Sequence, residues 1–445
     1  MRIRFWGTRG SLARPGPATV RYGGNTSCVQ VEAPDGTLIV LDCGTGAHDL
    51  GQHLVTAGPR PLRAHLLLTH THWDHIQGFP FFAPLFVPDN EWDVYAPQGL
   101  SQRIEATLAG QMEYEYFPVT LAQMGATIRY HDLEEGAFTL GGVQVTTRYL
   151  NHPGLALAYR LETGGASLVY ATDHEPHSLH ADAPATGPVH REDQRHIEFL
   201  TGAQLLVHDA QYTLEEYAHK RHWGHSPAER VVDFAVAAGV ERLALYHHDP
   251  QRSDDGLDRL VETCRRRAAV AGSAVDVFAA FEGQVIELNG RAAAAAASRA
   301  AGATAPGPTA VTGAMTVLIV DDDPGMIELL TATLEPEGFR LVIAANGDTA
   351  VAAAHVARPD LVLLDWSLPG RSGLEICRAL RADTDTKLRQ VPVVMLTGQV
   401  DAEHTAAGFA AGVDDYVTKP FKPTYLRARV HAWLIRGRTG AAGNG

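Results

Sequence analysis

Up to about residue 289, short apolar runs of β character alternate with turn-forming stretches. Ile3–Trp6, Thr37–Asp42, Ala64–Thr69, Val143–Leu150, Ser167–Thr172, Leu205–His208 and Leu243–His247 read as strands, with helices at Ala228–Ala238 and Asp255–Ala271 between them. The stretch from Gly290 through Ala314 then offers almost nothing large enough to pack. Its polyalanine start can extend a helix for a turn or two, but its Gly and Pro residues favour an irregular tether. Beyond it, strands and helices alternate regularly, which implies a parallel sheet covered on both faces. The expected divisions are a first domain over 1–289, a linker over 290–314, a second domain over 315–437 and a loose tail over 438–445.

A chain of 445 residues exceeds what one ordinary core organises, and 45% hydrophobic with 20% charged residues suits globular domains. No apolar run is long enough to cross a bilayer. The opening Met1-Arg-Ile-Arg-Phe-Trp-Gly lacks the apolar core and cleavage site of a signal peptide, so a cytoplasmic location is expected. The four cysteines, Cys28, Cys43, Cys264 and Cys377, form no Cys-x-x-Cys pair and read as buried thiols. The net charge of −14 works against non-specific adhesion to nucleic acid or anionic membrane. It leaves room for a small anionic substrate, since a bound metal inverts the local field.

Histidine changes the picture. There are 22, and the densest cluster is Thr69-His70-Thr71-His72-Trp73-Asp74-His75, directly after the apolar Leu66-Leu67-Leu68. A strand ending in His-x-His-x-Asp-His directs four ligating groups into one pocket. Imidazole with carboxylate suits Zn²⁺, or Mn²⁺ or Fe²⁺.

This motif resembles that of the metallo-β-lactamase superfamily, which implies an α/β fold, an αββα sandwich, with further ligands at later strand ends. His152 in Asn151-His152-Pro153-Gly154, Asp173 after Leu168–Thr172, and His247 after Leu243–Tyr246 stand in those places. The resemblance implies that His70, His72 and His152 hold one ion, that Asp74, His75 and His247 hold a second, and that Asp173 bridges them. Such a pair activates water and polarises the oxygen of the group attacked. His174 and His248 read as residues behind the ligands or at the surface. Asp42 either orients a ligand imidazole or closes its own loop.

His208-Asp209-Ala210-Gln211-Tyr212 and His222-Trp223-Gly224-His225-Ser226 resemble the phosphodiesterase branch of that superfamily. This branch holds tRNA 3′-processing endonucleases and cyclic phosphodiesterases. It implies that His225 protonates the departing alkoxide while Asp209 orients it; otherwise His225 caps its helix beside Ser226. The endonucleases usually carry Glu where Asp209 stands, and no basic Gly-rich arm is evident. The glycine-rich turns Gly7–Ser11 and Arg21–Cys28 are also similar to that branch. Arg9 and Arg21 there either contact a substrate phosphate or serve the turns. Tyr114, Tyr116 and Phe117 either stack on a base or pack ordinarily.

In the second domain, Val317-Leu-Ile-Val-Asp321-Asp322-Asp323, Leu361-Val-Leu-Leu-Asp365, Val393–Thr397 and Asp414–Lys419 end four strands in acids, a hydroxyl and an ammonium. Adjacent like charges at a strand end point to a divalent cation. From Met315 to about Arg436 the pattern resembles the response-regulator receiver, a doubly wound (βα)5 fold. The resemblance implies that Asp365 accepts a phosphoryl group from a sensor histidine kinase. It further implies that Asp321, Asp322, Asp365 and the Ser367 carbonyl hold Mg²⁺, that Lys419 pairs with the phosphate, that Thr397 and Tyr416 switch, and that Lys419-Pro420 is cis.

The expected function is a binuclear-metal phosphodiesterase acting on a small cyclic phosphodiester such as a cyclic nucleotide. Its receiver controls it, directly or by forming a homodimer. The alternatives are a tRNA or RNA 3′-processing nuclease, a lactonase or thioesterase, and a non-catalytic signalling adaptor.

Overall fold

The computed structural model describes residues 1–97, 103–177, 191–221, 223–290 and 315–398, then residues 408, 411–421, 423, 426–427, 429–431 and 433–434. The expected linker after Gly290 and the expected tail lie outside the described residues. Two compact units result, the first built from Met1–His177 and the chain from Glu192 to 290, the second from 315 onward.

The first unit is a sandwich of two seven-stranded sheets. One runs Val285–Glu287, Arg2–Gly7, Cys28–Glu32, Leu38–Leu41, Arg63–Leu67, Glu91–Pro97 and Thr127–Leu133. The other runs Asp276–Ala279, Arg242–Tyr246, Leu205–Asp209, Ala166–Ala171, Leu157–Thr163, Val143–Tyr149 and Gly136–Leu140. Each has an antiparallel half and a parallel half. The parallel pairings begin at Leu38–Leu41 in the first sheet and at Ala166–Ala171 in the second. Parallel strands carry their carboxyl ends to one edge, and in α/β sheets that edge is where sites form.

Each sheet buries its outer face under helices. Leu50, Gly51 and Leu54 of the helix Ala47–Ala57 are buried in a cluster with Val40, Leu66, Trp92 and Val94 or against its rim. Helices Ala228–Ala237 and Asp254–Val270 cover Val169, Leu206 and Leu243. Three tyrosines of the second sheet reach chain segments of the first. Tyr159 donates to Leu68 O at 2.6 Å, Tyr246 to Gly7 O at 2.6 Å, and Tyr170 to Asp42 Oδ2 at 2.9 Å. All three rings are fully buried, so each hydroxyl needs such an acceptor.

The second unit is one five-stranded sheet in the order Arg340–Ala344, Thr316–Val320, Leu361–Asp365, Val393–Thr397, Asp415–Thr418, every pairing parallel. Helices Pro324–Leu334, Gly347–Ala357 and Gly373–Arg381 alternate with the strands. Apolar clusters lie on both faces of this sheet, as a doubly wound fold requires. The expected architectures are the ones found, an αββα sandwich and a (βα)5 sheet.

Trp92 is fully buried, edge-on to Phe82 at 5.0 Å, and its indole N–H has no hydrogen-bond partner. Trp92→Ala is therefore expected to destabilise the sandwich by about 3–5 kcal/mol. Trp92→Phe, which loses volume but no hydrogen bond, is expected to cost less than half as much. Urea unfolding of the two variants beside the wild type checks both.

Candidate functional site

The carboxyl edge of the sandwich collects the histidines. His70 and His72 follow strand Arg63–Leu67, and Asp74 and His75 lie in the single-turn helix Trp73–Ile76. His152, Asp173 and His247 each stand just after a strand. Asp42, Asp173 and His247 have φ of 58°, 56° and 57°, and Ser11 has 59°. A non-glycine residue in the left-handed region is uncommon, and four at one edge mark backbone strain held in place by its surroundings.

Two groups of ligating atoms result. His70, His72, His152 and Asp173 form one, and Asp74, His75, Asp173 and His247 the other, with every ligand atom in a group within 4.8 Å of the rest. In the first, His152 Nε2 lies 3.0 Å from His72 Nδ1, and Asp173 Oδ2 lies 3.6 Å from His70 Nε2 and 3.8 Å from His152 Nε2. In the second, Asp173 Oδ1 lies 3.2 Å from His75 Nε2 and 3.1 Å from His247 Nε2, with Asp74 Oδ2 at 3.2 and 3.0 Å from the same nitrogens. Asp173 thus turns one oxygen to each group. A tetrahedral zinc ion with bonds of about 2.05 Å separates its ligand atoms by roughly 3.3 Å. The observed spacings centre on that value. His70 Nε2 is also buried with no hydrogen-bond partner among the described residues, which is what an ion-facing nitrogen requires. The donor set therefore fits two divalent ions.

The rings are held from behind. Asp42 Oδ2 lies 2.8 Å from His75 Nδ1, and the same carboxylate accepts from the Thr69 amide at 2.7 Å, the Thr69 hydroxyl, and Tyr170. Of the two readings of Asp42, the one that orients an imidazole holds, since its carboxylate bonds Thr69, His75 and Tyr170 and not its own loop. His152 Nδ1 donates to Gly224 O at 3.0 Å. Glycine is needed here: a Cβ on Gly224, whose φ is 87°, would stand 2.3 Å from His152 Nδ1, and one on Gly10 would stand 2.3 Å from His247 Nδ1. The Ser11 amide donates to Asp74 Oδ2 at 2.7 Å, and Ser11 Oγ accepts from Gln211 Nε2 at 3.1 Å.

The electrostatics follow from burying acids with imidazoles. Burial opposes ionisation of Asp74 and Asp173, yet the neighbouring histidines hold both well below the usual carboxylate range. Burial pushes His70 well down and His152 to about 3, keeping their lone pairs free. His75 goes the other way, because Asp74, Asp173 and Asp42 outweigh its burial. Among the side chains by themselves, a proton on His75 offsets part of the negative charge of Asp74, Asp173 and Asp42. A divalent cation would offset more of it at the same place.

Asp209 and His225 form a third, adjoining group with His247. His225 Nδ1 lies 3.0 Å from Asp209 Oδ2, 3.9 Å from Asp173, and its ring stacks on His247 at 5.0 Å between centroids. Burial works against its charge, but Asp209 first, then Asp173 and Asp74, raise its pKa to about 9. Asp209 is itself held by the amides of His174, Gln211 and Ser226 at 3.1–3.2 Å. His225 does not cap the following helix, whose N-cap position is occupied by Pro227 without a side-chain bond.

Other expectations are corrected. Arg9 is fully buried, and its guanidinium donates to the carbonyls of Gly23, Asp249 and Arg252; it serves the turn rather than a substrate phosphate. Arg21 pairs with Asp254, Asp255 and Asp258, so its charge is already met by carboxylates and it ties its turn to the helix that carries them. His174 and His248 stand outside both groups, as expected, and of the two places offered for them the one behind the site holds rather than the surface: both are buried, His174 stacking on His196 and His248 lying 2.8 Å from Ala280 O. Phe117 packs edge-on against Phe81, while Tyr114 and Tyr116 are 83% and 74% exposed, so ordinary packing holds for Phe117 alone.

In the second unit, Lys419 Nζ lies 2.6 Å from Asp365 Oδ1 and 2.8 Å from Asp321 Oδ2, and the Ser367 amide donates to Asp365 Oδ2 at 2.7 Å. Burial, then Asp321, raises the Asp365 pKa against the pull of Lys419; the two acids raise that of Lys419 over its own burial. Asp322 is exposed beside them. Thr397 and Tyr416 are buried, and a Cβ on Gly408 would collide with the Tyr416 hydroxyl. Lys419-Pro420 is cis.

A model of the beta-lactamase superfamily domain matches residues 37–248, and one of the response regulator receiver domain matches residues 317–431. The DNA-binding response regulator MtrA of Mycolicibacterium smegmatis is 49% identical over 120 residues, which are 27% of this chain and 50% of that protein. The chain spans about half the length of the curated relatives it matches. The metallo-β-lactamase fold protein YhfI from Bacillus subtilis superposes with a TM-score of 0.46 at 17% identity, covering 64% of this chain and 98% of that one. The short form of human tRNase Z superposes at 0.44 with 19% identity, covering 65% and 99%. The chain thus carries a beta-lactamase superfamily domain on its N-terminal side and a response regulator receiver domain on its C-terminal side.

Proposed function

We propose that the N-terminal domain is a binuclear-metal phosphodiesterase of small cyclic phosphodiesters, and that phosphorylation of the receiver controls it. In this reading His70, His72 and His152 would hold one ion and Asp74, His75 and His247 the other, with Asp173 facing both. Bound there, two divalent ions supply Lewis acidity and acidify a water. The observation that carries the phosphodiester reading is the buried His225–Asp209 pair at 3.0 Å. With Nδ1 engaged by Asp209, His225 keeps Nε2 for a proton to the departing oxygen, and a ribose alkoxide leaves poorly without one. Lactone or thioester opening asks less of such an acid. A net charge of −14 favours a small substrate over folded RNA.

In the receiver, Asp365 is the proposed phosphoryl acceptor and a sensor histidine kinase the donor. Asp321, Asp322, Asp365 and the Ser367 carbonyl would hold Mg²⁺. Lys419, already within 2.6 Å of Asp365, would pair with the incoming phosphate. Thr397 and Tyr416 would carry the switch, and its output is the attached enzyme, directly or through a receiver homodimer.

The first test is hydrolysis by the zinc- or manganese-loaded protein of 3′,5′- and 2′,3′-cyclic nucleotides, a ribose 1,2-cyclic phosphate and a precursor tRNA. Wild type is expected to cleave a cyclic compound and His75→Ala none. Cleavage of the tRNA alone would move the chain to RNA processing, and no cleavage at all would leave lactones and thioesters. His225→Ala is expected to lose about a hundredfold or more in kcat on the cyclic substrate. On a nitrophenyl phosphodiester, whose leaving group needs no proton, the loss should be far smaller; equal losses would remove the general-acid role. Beryllofluoride, a phosphoryl mimic, is expected to change the wild-type rate and leave that of Asp365→Asn unchanged. An unresponsive wild type would sink the regulatory half.

A further inference from the structure

Glu175 lies two positions beyond Asp173, outside the groups of ligating atoms found among the described residues, and is only 5% exposed. Among its contacts, the carboxylate accepts two hydrogen bonds, one on each oxygen. Oε1 accepts from the Tyr217 hydroxyl at 2.8 Å, and Oε2 accepts from the Gly224 amide at 2.8 Å. Its backbone is also engaged: the Glu175 amide donates to Asn151 O at 2.8 Å, and Asn151 Nδ2 donates to Glu175 O at 2.7 Å.

These bonds join three segments at the points where each delivers a functional side chain. Asn151 precedes His152, Glu175 follows Asp173, and Gly224 precedes His225. The Gly224 peptide is the centre of the arrangement. Its N–H is fixed by Glu175, its carbonyl accepts from His152 Nδ1 at 3.0 Å, and its φ of 87° with no Cβ lets the imidazole lie directly against it. An imidazole whose Nδ1–H is anchored presents Nε2 as a lone pair in a fixed direction, and such anchoring is commonly worth tenfold or more in metal affinity.

We infer that Glu175 is a positioning residue: it clamps the Gly224 peptide so that one turn sets both the tautomer of His152 and the placement of His225. The inference rests on His152 being a ligand, as proposed above. The clamp works through hydrogen-bond geometry and reach, not through charge. Glutamine reproduces it, since its Oε1 accepts from Gly224 and its Nε2 donates to Tyr217 Oη, a hydroxyl that also accepts. Aspartate keeps the charge but is one methylene too short to span both donors.

The experiment is zinc affinity of the full-length chain by chelator competition, with melting temperatures and circular dichroism taken alongside. Glu175→Gln is expected to bind both ions within about threefold of wild type, and Glu175→Asp to bind one of the two about tenfold or more weakly. With a cleavable substrate, Glu175→Asp should also lose more on an alkoxide than on a nitrophenolate leaving group, as His225 shifts with the turn. Undiminished affinity in Glu175→Asp would overturn the inference. So would an equal loss in Glu175→Gln, which would make charge the operative property. Failure of the wild type to take up two zinc ions would instead remove the metal reading, and this inference with it.

Discussion

Asp42, Asp74, Asp173 and Asp209 are between 0% and 6% exposed, packed at one edge of the sandwich. A carboxylate taken from water is tolerated only where donors or cations surround it, and removing one member of such a set leaves an uncompensated charge. Much of the local architecture answers that demand. Asp42 and Asp209 are satisfied mainly by amides and hydroxyls, each with one imidazole. Asp74 and Asp173 instead face imidazole nitrogens, apart from the Ser11 amide on Asp74 and the Thr172 hydroxyl on Asp173. The first pair is neutralised by the fold itself. The second pair is arranged for a cation.

Both units reach this condition by the same route. Parallel strands end together, and each contributes one side chain to a common edge. In the receiver the edge is simpler, two acids and a lysine, and Lys419 supplies the balancing charge that imidazoles supply in the sandwich. Lys419 meets both acids directly from a partly exposed position, whereas the His75 and His152 imidazoles are buttressed from behind by Asp42 and Gly224.

The two groups of imidazoles and carboxylates were legible because such side chains stand out at strand ends in sequence, as His70 to His75 do after Leu66-Leu67-Leu68. The strands behind them were legible too, since both their faces are buried. Thr127–Leu133 escaped notice because it is a sheet edge with hardly a buried side chain, and Cys28–Glu32 because it is short and interrupted by Gln30. The second rank of the site was harder. Gly10, Ser11, Glu175 and Tyr170 act through backbone position or across the sandwich, and no local spacing connects Tyr170 to Asp42 or Glu175 to Gly224. The arginines misled for the reverse reason: a guanidinium in a glycine-rich turn looks the same in sequence whether it awaits a phosphate or is consumed by carbonyls, as Arg9 is.

The left-handed conformations of Asp42, Asp173 and His247 carry a thermodynamic consequence. A side chain there is paid for in backbone strain, and glycine at the same positions would relax it. The scaffold and its chemistry are therefore opposed at these three residues. Drift toward stability alone would erode the site first, at the strand ends, leaving an intact sandwich with nothing to hold an ion.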